Sequence, residues 1–170
     1  MRNPAFLPGL AVLGRAVPCC FPRAAVATAC WMLLADLAGA QTVGPGPVAP
    51  ITLSTGTLSV VGGTSVTSTG AAARTTGGAL TLDTSLGAQA GAAITLTTSG
   101  GGGHGIYLTG GSLSILNGPI RITTAGVEAS GIWVQNAGVT ATALAGGLDI
   151  RTTGAMSGAA VGSYGLLASN

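Results

Sequence analysis

Beyond residue 40 the chain carries one histidine, His104, three arginines, Arg74, Arg121 and Arg151, and three carboxylates, Asp83, Glu128 and Asp149. General acid–base chemistry needs two titratable groups within reach of one substrate, and these carboxylates are dispersed along the chain. His104 lies in "GGGGHG", where no Ser or Asp marks it as part of a triad, so it reads as a turn residue. Tyr107 in "GIYL" and Trp133 in "GIWV" are different, because they hold the same place in two related stretches. Set side by side on an outer surface they would form a recognition patch for carbohydrate or protein, or they would simply stack and stabilise a sheet. They are the two site residues the sequence nominates, for surface recognition; it nominates no catalytic residue, no cofactor and no metal ligand.

The positions of the two aromatics follow from a repeated skeleton. "ITLTTSGGGGHGIYL" from Ile94 and "IRITTAGVEASGIWV" from Ile120 share aliphatic residues at +0 and +2, Thr at +4, Gly at +6, Gly-Ile at +11 and +12, and an aromatic at +13. The opening pattern recurs at Leu148, Ile150, Thr152 and Gly154, so the starts are 26 and 28 residues apart. "ITLSTG" from Ile51 and "LTLDTSLG" from Leu80 are looser echoes, expected one turn and about half a turn before the next match. Self-similarity at this period marks a solenoid. Alternation places Ile94, Leu96 and Thr98 on one face and Thr95 and Thr97 on the other, a strand period, and no helical period is present.

About three short strands per repeat, with "SLSIL" and "VTATAL" between the matched segments, predict an all-β right-handed parallel β-helix over residues 51–170. Gly100, Gly105, Gly126 and Gly131 are expected at corners, in backbone angles that a side chain would forbid. The register makes Thr95, Arg121 and Asp149 successive members of one outward row, which predicts an Arg121–Asp149 ion pair. Tyr107 and Trp133 share another row, with Leu167 as its third member if "GAMSGAAVGSYGLL" loops out.

Composition agrees with this reading. The chain has 170 residues, 30 of them Gly, and is only 6% charged, where an ordinary soluble domain has about 7% Gly and about 25% charged residues. Mean hydropathy is +0.63, yet past residue 40 no apolar run approaches the ~18 residues of a membrane-spanning helix. Beyond residue 40 the three arginines balance the three carboxylates, which leaves no basic surface for nucleic acid and no acidic tail.

Residues 1–40 follow the plan of a secretory signal peptide: Arg2, Arg15 and Arg23, then the apolar "AAVATACWMLLA", then small residues ending in Ala38, Gly39 and Ala40. The segment is longer than usual, as an extended signal or one with a misassigned start. Asp36 shortens the apolar run and argues against a membrane anchor. The signal peptide would engage the inner-membrane secretion machinery, and cleavage after Ala40 would remove Cys19, Cys20 and Cys30, leaving a mature chain without cysteine. Residues 41–50, "QTVGPGPVAP", read as a Pro/Gly-rich connector.

The long signal, the connector, the cysteine-free remainder and loose repeats of the type "ITTAGVEASGIWV" resemble the N-terminal passenger region of bacterial autotransporters, the β-helical surface proteins that include pertactin-like adhesins. The resemblance covers residues 41–170. It implies export, then display at the cell surface and outer membrane or release, for adhesion to a host-surface protein or glycan, without catalysis; it transfers no functional residue. It also implies a C-terminal translocator barrel in the full-length protein, which "LLASN" does not begin, so the chain is expected to be a fragment or a truncated product confined to the periplasm. The Asn-Pro-Asn-Gly-type signature of two-partner secreted hemagglutinins and the Gly-Asp-Ser-Gly motif of serine-protease passengers are absent from this sequence. The alternative is a fragment of a secreted β-helical polysaccharide-active enzyme, of the pectate-lyase-like kind, which would need clustered acids and bases. "GGGHGIYL" lacks the Asp of a calcium-binding β-roll repeat, and "GGGGHG" lacks the Lys-Ser/Thr ending of a phosphate loop.

Overall fold

A computed structural model describes residues 40–142, 146–154 and 163–169. The expected signal segment, 1–40, lies outside the described residues except for Ala40. Among the described residues the regular structure is all strand, fifteen strands in three five-stranded parallel sheets. No helix among them is long and apolar enough to cross a membrane.

The strands come in sets of three, one set per coil. The first coil is β1 (Gln41–Val43), β2 (Gly46–Val48) and β3 (Ile51–Leu53); the second is β4 (Thr57–Val61), β5 (Thr64–Ser68) and β6 (Ala73–Thr75). The third is β7 (Ala79–Asp83), β8 (Ile94–Thr98) and β9 (Ile106–Leu108), and the fourth β10 (Ser112–Asn117), β11 (Ile120–Thr124) and β12 (Ile132–Gln135). The fifth is β13 (Gly138–Ala141), β14 (Leu148–Thr152) and β15 (Leu166–Ser169). Every third strand joins the same sheet, in the orders β1-β4-β7-β10-β13, β2-β5-β8-β11-β14 and β3-β6-β9-β12-β15, which is a three-sided parallel β-helix.

The repeated skeleton is the register of the second and third sheets. Ile120 pairs with Ile94 and Leu148, and Trp133 with Tyr107 and Leu167. Inward residues of successive coils lie over one another and build one core, in which Val66, Leu82, Leu96, Ile106, Ile120 and Ile122 are all fully buried. Parallel ladders need apolar side chains at matching heights on every coil, and a sequence repeat is one way to supply them. The Thr at +4 has a separate task. It points inward, and the Thr124 hydroxyl donates to the carbonyl of Ala129 across the corner at 3.1 Å, as the Thr98 hydroxyl does to Gly103. A buried carbonyl at a bend has no ladder partner, and the hydroxyl satisfies it.

Four expectations change. Residues 41–50 carry strands: β1 pairs with β4 and β2 with β5, and Pro47, which has no N–H to give, sits on a strand with a single neighbour among the described residues, where a missing donor is tolerated. The echoes at Ile51 and Leu80 are not a turn apart, since Ile51 belongs to the third sheet opposite Ala73 and Leu80 to the first opposite Leu58. The pattern of two aliphatics, Thr and Gly encodes a strand that faces the core and then turns, whichever sheet it joins. Arg121 does lie opposite Asp149 in the register, but the carboxylate is taken by Arg151 two residues along its own strand, at 3.1 Å.

The fourth change concerns the corner glycines. Gly100, Gly105, Gly126 and Gly131 do not have positive φ. They are required by stacking: a Cβ on Gly126 would overlap the carbonyl oxygen of Gly100, one on Gly154 that of Gly126, and one on Gly105 the Ile122 methyl group. Positive φ occurs at another corner, where Gly78 (φ 77°) and Gly111 (φ 79°) stack one over the other.

Candidate functional site

The outer face of the third sheet carries one row that crosses all five coils: Thr52, Arg74, Tyr107, Trp133 and Leu167. Alternation puts these side chains outward while Ala73, Ile106 and Ile132 beside them are buried. Tyr107 and Trp133, the two residues nominated from the sequence, are thus brought together on β9 and β12, half-buried. Their ring centroids are 5.2 Å apart at an interplanar angle of 47°, within the range of favourable aromatic pairs.

Two residues that the sequence did not nominate for a site, Arg74 and the expected turn residue His104, complete the cluster. Arg74, exposed on β6, places its guanidinium 5.5 Å from the centre of the Tyr107 ring, a cation–π distance. His104, in the corner before β9, is only 5% exposed. Its ring meets Trp133 edge-on at 4.5 Å and 87°, and Tyr107 at 5.2 Å and 44°. The amide N–H of Ser130, one coil further on, donates to His104 Nδ1 at 3.0 Å. Nδ1 is therefore an acceptor, and the neutral ring carries its proton on Nε2. Burial pushes the His104 pKa down from 6.5, consistent with a neutral ring.

The Tyr107 hydroxyl donates to Gln135 Oε1 at 3.2 Å. Trp133 Nε1 and Ser130 Oγ are buried and find no partner among the described residues. Beside the cluster is an open depression of about 390 Å³, lined by Thr52, Ala71, Arg74, Gly102, His104 and the two aromatic rings. A second depression of about 420 Å³ on the second sheet lies around Arg121, Thr123, Asp149 and Arg151. There the carboxylate is already engaged by Arg151.

The acids stay apart. Asp83 is buried at the end of β7, where its Oδ1 accepts from the Ser85 amide, the Ser85 hydroxyl and the Asn117 amide at 2.9, 2.6 and 2.9 Å. Burial alone would raise its pKa, but these three hydrogen bonds outweigh it and hold the carboxyl below the ordinary 3.8. Among the described residues no three His, Cys, Asp or Glu side chains gather into a metal-binding group. Compared with protein families, curated proteins and solved structures, the chain matches none.

His104 could have been found in the sequence only by asking what fills its place in the next repeat. That position is Ser130, small enough to leave the ring room and placed to give it an amide. Arg74 carried no signal, because coil two does not match the skeleton.

Proposed function

We propose that the chain is an exported β-helical contact module of the autotransporter-passenger kind, which acts by adhesion and not by catalysis, and that the third sheet's outer face is its contact surface. The observation that carries this reading is the Arg74–Tyr107–Trp133 row with His104 folded against it. It gathers large aromatic and cationic side chains in one row, in contrast to the Thr42–Ser59–Thr81–Ser114–Thr140 row of the first sheet, which carries only short hydroxyl side chains. Aromatic and Arg side chains supply most of the energy of contact surfaces, whereas short hydroxyl side chains supply little. The signal-peptide plan of residues 1–40 supports export, and a rigid solenoid suits display. The dispersal of Asp83, Glu128 and Asp149 among coils favours contact over polysaccharide cleavage.

Two measurements test this. N-terminal sequencing of protein recovered outside the cytoplasm is expected to begin at Gln41; recovery of uncleaved chain in the cytosol alone would overturn export. Binding of the labelled protein to host-cell surfaces is expected to fall on Trp133→Ala with the fold retained by circular dichroism. Unchanged binding would move the contact surface elsewhere, and release of sugar ends from a polysaccharide would replace contact by catalysis.

A further inference from the structure

Resting on this contact reading, we infer that the depression on the third sheet binds a sugar carrying a carboxylate, a hexuronate unit, with Arg74 and His104 as the donors to that carboxylate. Arg74 is exposed, and no carboxylate within the described residues pairs with its guanidinium. The Tyr107 ring lies on one side of that guanidinium at 5.5 Å, and its N–H fork suits a planar two-oxygen anion.

His104 adds the second donor. Its ring is almost wholly buried and its Nδ1 is saturated by the Ser130 amide, so the proton sits on Nε2. The hydrogen bond to the ring is made at Nδ1, and the residue lines the depression. A neutral imidazole held this way is a fixed N–H donor. The Thr52 hydroxyl, next to Arg74 in the row, offers a third polar contact. None of the lining residues is acidic, so nothing in the wall repels an anion.

The remaining walls favour a sugar over a peptide. The depression is open, and Ala71 and Gly102 among its lining residues are small enough to leave room for a sugar ring. It offers neither a free strand edge for backbone pairing nor a deep apolar pocket for a side-chain anchor, the usual means of gripping a peptide. The Tyr107 and Trp133 rings are engaged with each other, tilted at 47° and 5.2 Å apart, and Trp133 also with His104 at 4.5 Å. Discrimination is therefore assigned to charge at Arg74 and not to ring stacking, so an acidic sugar gains most.

The test is saturation-transfer NMR and calorimetric titration of the full chain with glucuronate, glucose and acetate as probes. Glucuronate is expected to bind roughly tenfold more tightly than either glucose or acetate, and Arg74→Met to remove about that advantage. Arg74→Lys, which keeps the charge but loses the fork, is expected to fall between the two. His104→Asn, whose side-chain oxygen can still accept from Ser130, is expected to weaken glucuronate while leaving glucose unchanged. Equal binding of glucose and glucuronate, or an unaltered affinity in Arg74→Met, would overturn the acidic-sugar assignment while leaving the contact face standing. Acetate binding as tightly as glucuronate would overturn the sugar part, leaving a simple anion site. If none of the three binds and Trp133→Ala also leaves cell-surface binding intact, the contact reading falls with it.

Discussion

At the scale of single residues, the cluster on the third sheet is held by a histidine that folding keeps uncharged. The sign of its pH effect follows. His104 titrates at about 6.5 in the unfolded chain and lower in the folded one, so its contribution is complete above about 6.5 and is lost as the pH falls through the folded value. Protonating Nδ1 would also set an N–H against the Ser130 amide. Urea unfolding at pH 7.5 and pH 5 is expected to show a loss of stability for the wild type, and a smaller one for His104→Asn; equal losses would remove His104 from the account. Asp83, held below its ordinary value, acts further down: its contribution is present above about 3.9 and disappears as the pH drops through its folded pKa. Tyr107 and Trp133 could be paired from the sequence because both fall at the same step of a matched repeat. Arg74 could not, since β6 lies in a short coil that pattern-matching passes over, and the ring of His104 reaches its partners through space without leaving a spacing to detect.

Among elements, the corners are more tightly specified than the strands. Strand positions ask for an aliphatic residue facing inward, and Ile, Leu and Val all serve. The corner column Gly100–Gly126–Gly154 accepts no Cβ at all, because each residue rests against the carbonyl of the one below. Gly126→Ala is expected to destabilise the protein by about 1–3 kcal/mol, the usual cost of overpacking, read as a lower urea midpoint at unchanged slope. Ala125→Gly, at an exposed neighbouring site, is the control and is expected to cost about 1 kcal/mol or less. Repetition in the sequence located these glycines, but the reason for them was legible only with the coils stacked: a sequence shows that a position is always Gly and does not show whether angle or space demands it. Likewise the pattern at Ile51, Leu80 and Ile94 revealed strands without revealing that they face three different ways. The first two strands were hidden by Pro45, Pro47 and Pro50, whose usual message is a break.

Over the whole molecule, stability is set coil by coil. Ile122 in β11 is fully buried with β8 on one side and β14 on the other, whereas Ile150, its partner in β14, is only half-buried with a single neighbouring strand among the described residues. Ile122→Ala is expected to cost about 2–5 kcal/mol and Ile150→Ala distinctly less, with thermal melts as the check; equal losses would mean that β14 is covered as fully as β11. Contacts reach only from one coil to the next, and every chain crossing between coils runs the same way. A pull on the two termini would thus load the ladders one rung after another instead of shearing them together. Some 26 residues separate His104 from its counterpart Ser130, so each release would add roughly 90 Å of slack at ~3.3–3.6 Å per residue. The protein would yield like a wound cord paying out loop by loop, keeping the undisturbed coils folded while the outermost one gives way.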